Sequence, residues 1–185
     1  MSPVDAATFT VDSTADAEDA NPGDGVCATA AGPCTLRAAI QEANALPGLD
    51  TIVVPAGTYV LTLGELEIKS DLVIDGAGHP RHRHPRTGGQ RRPRQLGGFP
   101  ILGTGGGISN TGTLVLTHST VHNNAVPVGP ATFSAGGGIE NAGGDLTLSG
   151  STVRDNSGDS GGGIATNGTA SILDRASSRR RRPRR

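Results

Sequence analysis

The tetrapeptide Gly-Gly-Gly-Ile occurs three times, at residues 105–108, 136–139 and 161–164. Related residues follow each copy: SNTGTLVLTHSTVHNN after the first, ENAGGDLTLSGSTVRDN after the second and ATNGTASIL after the third. The copies start 31 and 25 residues apart, and the loop AVPVGPATFSA accounts for the longer interval. A repeat of roughly 20–50 residues indicates stacked structural units, because one such unit cannot bury its apolar face alone.

Apolar and polar residues alternate within each unit, which predicts short strands with one buried face. The apolar positions of the two complete units correspond one to one: Leu114, Leu116 and Val121; Leu146, Leu148 and Val153. The Gly and Asn residues between them predict tight turns that need a positive φ. About three strands per stacked unit is typical of an all-β fold of the parallel β-helix kind, a solenoid.

Two asparagines occupy the same place in successive units. Asn124 follows STVHN and Asn156 follows STVRD. Stacked asparagines at a turn can hydrogen-bond from one coil to the next. We therefore predict a structural turn ladder at Asn124 and Asn156 in preference to a catalytic role.

The amino-terminal half predicts one short helix. Its apolar face consists of Leu36, Ala39, Ile40, Ala43 and Leu46. Thr35 is the expected N-cap, and Pro47-Gly48 ends the helix. Strand-like segments follow, DTIVVPAGTYVLTL and LEIKSDLVIDGAG. We expect this helix to cap the end of the apolar column, since an uncovered end exposes unpaired strand edges.

The arginine-rich stretch HPRHRHPRTGGQRRPR, residues 79–94, differs from everything around it except the tail. The residues outside 79–94 and 174–185 include only three basic side chains, Arg37, Lys69 and Arg154, against sixteen acidic ones. Such an acidic body repels nucleic acid and anionic lipid, so no specific nucleic acid is expected as partner. His79, His82 and His84 have metal-ligand chemistry, but arginines and prolines flank them, and we predict no metal site.

Two hypotheses explain the basic segments. Each is either a GC-rich coding region read in the wrong frame or a true basic insertion, and both hypotheses predict disorder. The chain thus divides into an amino-terminal cap with the first coil at 8–78, an aberrant segment at 79–100, GGGI-type repeats at 101–173 and a basic tail at 174–185.

Cys27 and Cys34 are the only cysteines, in CATAAGPC. Six intervening residues suit neither a CxxC redox motif nor a zinc site. A disulfide that closes this short loop, in an oxidising compartment, is the favoured interpretation, and two unpaired thiols are the alternative.

Residues 9–59 resemble the CSLREA domain, named for a stretch that here is Cys34-Thr35-Leu36-Arg37-Ala38-Ala39. Thr35 replaces serine and Ala38 replaces glutamate, and the resemblance extends over roughly residues 8–78. It implies an amino-terminal module followed by right-handed parallel β-helix repeats, similar to pectin-lyase-like folds and polymorphic outer-membrane protein repeats. The FxxN element of the latter group is missing. The resemblance implies export, and it transfers no catalytic residue.

The repeats supply little for catalysis. A polysaccharide lyase would need carboxylates for calcium and a base, and the available residues are Glu140, Asp145, Asp155, Asp159 and Arg154. We predict no catalytic, cofactor-binding or metal-binding residue and no cofactor, with calcium, the ion of the lyase alternative, as the one candidate. The predicted function is a non-catalytic, secreted or cell-surface β-helix scaffold, adhesin-like or structural. A carbohydrate-active enzyme and polyanion binding through the arginines are the alternatives.

The expected partners are an unknown surface ligand or carbohydrate and, at the open end of the stack, a second copy by end-to-end self-association. No apolar run approaches the length of a membrane span, and none is predicted. No signal region is visible after Met1, so we expect the chain to be a fragment of a longer exported protein.

Overall fold

The computed structural model describes residues 6–76, 106–126, 136–158 and 162–173, together with the backbone of 100–103. Within these residues the chain forms β-strands and a single α-helix, α1 (Leu36–Ala45). The strands are β1 Thr8–Thr10, β2 Leu49–Val54, β3 Tyr59–Leu61, β4 Leu66–Ile68, β5 Asp71–Gly76, β6 Pro100–Gly103, β7 Ile108–Asn110, β8 Thr113–Thr117, β9 Thr120–His122, β10 Ile139–Asn141, β11 Asp145–Ser149, β12 Thr152–Arg154, β13 Ile164–Thr166 and β14 Thr169–Leu173.

The strands form three sheets, and each sheet takes every third strand. Sheet 1 has the order β1-β2-β5-β8-β11-β14, sheet 2 has β3-β6-β9-β12, and sheet 3 has β4-β7-β10-β13. All the strand pairs in these sheets are parallel. From β2 onward the chain therefore visits sheets 1, 2 and 3 in turn. The prediction of a mostly β fold is confirmed, and so is that of three strands in each complete repeat.

Register aligns the apolar residues of successive repeats. In sheet 1, Ile52 pairs with Ile74, Ile74 with Leu116, and Leu116 with Leu148. In sheet 3, Leu66, Ile108 and Ile139 form a similar row. All of these side chains are buried in one hydrophobic cluster. Burial of each contributes about 1.5–3 kcal/mol, so the periodic leucines and isoleucines hold the sheets together.

Helix α1 closes the amino-terminal end of this core. The Thr35 hydroxyl accepts a hydrogen bond from the Ala38 amide at 3.1 Å, as an N-cap does. The buried helix face includes Leu36, Ile40 and Ala43, and the helix packs against β2 and β4. The predicted helix is confirmed, with one difference: the predicted face residue Leu46 is the C-cap, just past the helix end.

Among the described residues, nothing covers the opposite end of the core. β14 forms the far edge of sheet 1, and Ile172 pairs in register with Leu148. Leu148 is 3 % exposed, whereas Ile172 is 68 % exposed. A residue in a core position is therefore left in solvent because no described strand lies beyond β14.

The predicted segment 79–100 lies outside the described residues except for Pro100, which begins β6 and pairs with Thr120. That boundary therefore moves back by one residue. The predicted tail, 174–185, lies outside the described residues altogether. The third repeat continues through β13 and β14 to Leu173.

Candidate functional site

The predicted asparagine pair lies at the turn between sheets 2 and 3. The Asn124 side-chain amide donates to Asn156 Oδ1 at 3.0 Å, and the Asn124 backbone amide donates to the same oxygen at 2.9 Å. The Asn156 amide in turn donates to the carbonyl of Val121 at 3.0 Å. The two side chains thus connect adjacent repeats, which is the contact expected of a structural ladder.

A second ladder, which the sequence analysis missed, connects Asn110 and Asn141. Both residues are fully buried at the ends of β7 and β10, and the Asn110 amide donates to Asn141 Oδ1 at 2.7 Å. The Asn141 amide donates to the carbonyls of Gly144 and Thr169 and to the hydroxyl of Thr166. The sequence does contain a signal for this ladder, because Asn110, Asn141 and Thr166 occupy the same position, two residues after each GGGI motif.

The structure corrects the predicted role of the glycines in the GGGI motifs. Among those the structure describes, none has a φ in the left-handed region, so the predicted positive-φ turns do not explain them. An alanine Cβ at Gly138 would lie 2.5 Å from the Gly163 carbonyl oxygen and 2.6 Å from the Asn156 amide nitrogen. These glycines therefore permit close approach of neighbouring repeats.

Positive φ occurs elsewhere in the repeats, at equivalent turn positions. His118 has a φ of 50° and Gly150 one of 60°, and they follow the paired residues Thr117 and Ser149. Asn123 and Asp155, at 56° and 54°, form the second such pair of positions. The predicted turns exist, but they lie between the strands of sheets 1 and 2, after those of sheet 2 and, at Gly143 with a φ of 86°, between β10 and β11.

Cys27 and Cys34 form a disulfide with a Cα–Cα distance of 5.2 Å. Cys34 is buried and directly precedes the N-cap Thr35, whose hydroxyl donates to the Ala17 carbonyl at 2.6 Å. The disulfide therefore holds the loop before α1 where the helix begins.

Buried carboxylates hold the rest of this loop. Glu42, on α1, is fully buried and accepts hydrogen bonds from the backbone amides of Gly23 and Gly25. Asp19 accepts from the amides of Asn21 and Ala28 at 2.8 and 3.1 Å. These carboxylates accept hydrogen bonds from backbone amides, and they stabilise the loop before α1.

Replacing both cysteines with serine should lower the free energy of unfolding by about 2–3 kcal/mol, because a short closed loop loses its constraint on the unfolded chain. Denaturant unfolding of the wild type and of Cys27→Ser/Cys34→Ser measures the change. Adding dithiothreitol should destabilise the wild type to the level of the double variant and leave the variant unchanged. Equal stability of all four samples would contradict a structural role for the disulfide.

Arg37, in the first turn of α1, forms a buried ion pair with Asp16 of the preceding loop, and the two side chains are 8 % and 4 % exposed. The Arg37 Nε lies 2.7 Å from Asp16 Oδ1, and its Nη atoms donate to the carbonyls of Gly64 and Glu65 at 2.7 and 3.0 Å. Asp16 also accepts from the Leu63 amide at 2.8 Å. This clamp ties the loop before α1 to the loop between β3 and β4.

The pKa of Asp16 reflects opposing causes. Burial by itself raises the pKa, but the hydrogen bond from Arg37 and those from the amides of Leu63 and Thr62 lower it. On balance the pKa lies below its usual value of 3.8. Asp16 is therefore ionised at neutral pH, and the clamp is a charged pair.

A cleft of about 560 Å³ lies between α1 and β4. Gln41 and Asn44 of the helix line one side, and Glu65 and Glu67 line the other. Burial raises the pKa of Glu65, and the nearby carboxylates of Glu140 and Glu67 raise it further. The side-chain oxygens of Gln41 and Asn44 already accept hydrogen bonds from backbone amides, so the carboxylates are the acceptors that the cleft offers to a hydroxyl-rich ligand.

The acids considered for a lyase are dispersed. Glu140 lies on β10 in sheet 3, Asp145 begins β11 in sheet 1, and Asp155 follows β12 of sheet 2, where it forms an ion pair with Arg154. Asp159 lies outside the described residues. Within the described part of the chain, no group of three His, Cys, Asp or Glu residues is arranged to hold a metal ion such as calcium.

His79, His82, His84 and the arginines of 81–94 and 175–185 lie outside the described residues. The expectations that these segments hold no metal site and bind no specific nucleic acid therefore stay predictions. Among the helices of the described residues, none is long and apolar enough to cross a membrane. Comparison of the chain with protein-family models, curated proteins and solved structures finds no match.

Proposed function

We propose that this protein is a right-handed parallel β-helix scaffold, exported to the cell surface or medium, with an adhesin-like or structural role and no catalysis of its own. The observation that carries the proposal is the order of the strands. The chain visits three parallel sheets in turn, and residues one repeat apart pair in register around one core. A solenoid is the arrangement that this strand order favours.

The polar side chains of the repeats support a scaffold function. The amides of Asn110, Asn141, Asn124 and Asn156 are all engaged in hydrogen bonds between or within repeats. The carboxylates of the repeats lie on different sheets. Such a distribution suits stacking of the chain on itself, whereas catalysis needs acidic and basic groups that converge on one substrate.

Export is proposed from the disulfide and from the CSLREA-like cap that contains it. Disulfides persist in oxidising compartments outside the cytosol. The cleft between α1 and β4, with the carboxylates of Glu65 and Glu67, is the surface that we propose for a carbohydrate ligand. A module that closes one end of the stack while it binds a surface polymer suits an adhesin-like protein.

Duplication of one complete repeat tests the scaffold. Asp145 pairs with Thr169, so residues 145–168 form one repeat, and a second copy inserted before Thr169 keeps all three sheets in phase. We expect the longer chain to unfold cooperatively, at a temperature no lower than the wild type, because each repeat contacts only its neighbours. Circular dichroism during heating measures this.

A duplication of residues 145–156 alone is the matched control, because it brings β13 and β14 into the wrong sheets. This chain should unfold at a lower temperature or aggregate. Equal damage by both insertions would contradict the solenoid. Separately, release of unsaturated uronides from polygalacturonate, with calcium present, would contradict the non-catalytic function.

A further inference from the structure

Asp50 is a carboxylate in a position that the next three strands of sheet 1 fill with leucine. It is fully buried on β2 and pairs in register with Leu72 of β5. Leu72 pairs in turn with Leu114, and Leu114 with Leu146. These leucines belong to the hydrophobic core. An ionised carboxylate in such a place is costly unless a cation or several hydrogen-bond donors satisfy it.

The described residues satisfy only one oxygen of this carboxylate. Asp50 Oδ1 accepts a hydrogen bond from the backbone amide of Ala7 at 2.7 Å, whereas the buried Oδ2 has no hydrogen-bond partner among the described residues. In the same part of the chain, each lysine and arginine side chain pairs with another acid: Arg37 with Asp16, Lys69 with Glu67 and Arg154 with Asp155.

The fold holds the nitrogen of Ala7 at this carboxylate. Thr8 of β1 pairs with Thr51 of β2, and the Ala7 carbonyl accepts a hydrogen bond from the Thr51 amide at 2.9 Å. Ala6, in contrast, is exposed to solvent. The first residue that sheet 1 fixes is therefore the one whose nitrogen lies against Asp50.

We propose that the mature protein begins at Ala7, and that its α-amino group forms a buried ion pair with Asp50. An endopeptidase outside this chain hydrolyses the peptide bond between Ala6 and Ala7. Water supplies the hydroxyl group of the new Ala6 carboxyl and one hydrogen of the new Ala7 amine. The carboxyl then loses a proton and the amine gains one, since the pKa of an α-amino group is about 7.7–8.0.

The new ammonium group supplies what the buried carboxylate lacks. It carries a positive charge and three N–H donors where the Ala7 amide has one, so it reaches both oxygens of Asp50 from a position already 2.7 Å from Oδ1. Small residues next to the cut are typical of leader removal during export, and Ala6 and Ala7 are both small. The inference rests on the Asp50 contact and goes beyond the proposed function.

Three chains that differ only at the amino terminus test the ion pair: residues 7–185, residues 6–185 and the full chain. The one extra residue of 6–185 turns the Ala7 nitrogen back into an amide and moves the charge away from Asp50, so this chain is the matched control. We expect the equilibrium constant for urea unfolding to be lower in 7–185 than in 6–185 by about tenfold or more, because hydrogen bonds between charged groups are stronger than those of a neutral amide. The full chain should match 6–185.

Asp50→Asn identifies the partner of the amine, because it keeps the shape of the side chain and removes its charge. The advantage of 7–185 over 6–185 should then vanish. Amine labelling decides the matter even where Asp50→Asn does not fold. The α-amino group of 7–185 should react with acetic anhydride more slowly than that of 6–185, with the exposed Lys69 as the internal reference in both chains.

Amino-terminal sequencing of the protein from its own cells tests the cut. Ala7 as the first residue supports the proposal, and any other first residue overturns it. Equal stability of 7–185 and 6–185, an advantage that survives Asp50→Asn, or equal labelling of the two α-amino groups would also overturn it.

Discussion

Gly138→Ala should destabilise the protein by about 3 kcal/mol, whereas Gly163→Ala should change its stability by about 0.5 kcal/mol or less. The two glycines hold equivalent positions in successive GGGI motifs, because the residues after them, Ile139 and Ile164, pair in register. A Cβ at Gly138 would lie 2.5 Å from the Gly163 carbonyl oxygen, so backbone of two repeats must move apart. At Gly163 the nearest atom of the described residues, Val153 Cγ1, lies 4.0 Å away.

Urea unfolding of the two variants measures both changes. Each substitution removes the same conformational freedom from the unfolded chain, which by itself stabilises by about 0.4–1 kcal/mol. The difference between the variants therefore isolates the contact with the following repeat. Equal destabilisation would mean that a backbone conformation specific to glycine is required at both positions, and would contradict the explanation by close approach.

The same glycines show what could be predicted from the sequence. Repetition and alternation predicted the strands, their number per repeat and the buried leucines, because those properties depend on local periodicity. The role of Gly138 depends on the distance between one repeat and the next. A positive φ and a close approach both select glycine, so the residue type alone does not distinguish them.

The asparagines show the same limit. The contact between Asn124 and Asn156 could be predicted because both residues end a longer shared motif, and the structure places them in contact. Asn110 and Asn141 align equally well, but they sit at strand ends within an alternating pattern that predicts an apolar or solvent-facing residue. Their burial becomes evident only when the neighbouring carbonyls of Gly144 and Thr169 are in place.

The clamp between Arg37 and Asp16 was not predicted at all. Its partners are separated by 21 residues, and its further acceptors lie on the loop between β3 and β4. No local pattern connects them, although Arg37 belongs to the stretch that carries the CSLREA resemblance. This resemblance would have been the only signal in the sequence, and it gives Arg37 a place in a motif without giving it a partner.

Arg37→Met should lower the free energy of unfolding by about 3–5 kcal/mol, because it leaves the carboxylate of Asp16 buried without its cation. Lys69→Met is the matched control. Lys69 forms an ion pair with Glu67, but both side chains are more than half exposed, and such pairs contribute about 0–1 kcal/mol. Urea unfolding at neutral pH compares the two variants. A similar small loss in both would contradict a structural role for the clamp.

The pH dependence provides a second check on the clamp. Since the pKa of Asp16 is lower in the folded protein than its usual value of 3.8, the ionised carboxylate stabilises the fold above that value. This stabilisation is lost as the pH falls through the lowered pKa, because Asp16 is then protonated in the folded protein as well as in the unfolded chain. The difference in stability between the wild type and Arg37→Met should therefore be constant near neutral pH and shrink below pH 3.8. A difference that stays constant as the pH falls would show that Arg37 acts through packing of its aliphatic stem and its bonds to carbonyls, and not through the charge of Asp16.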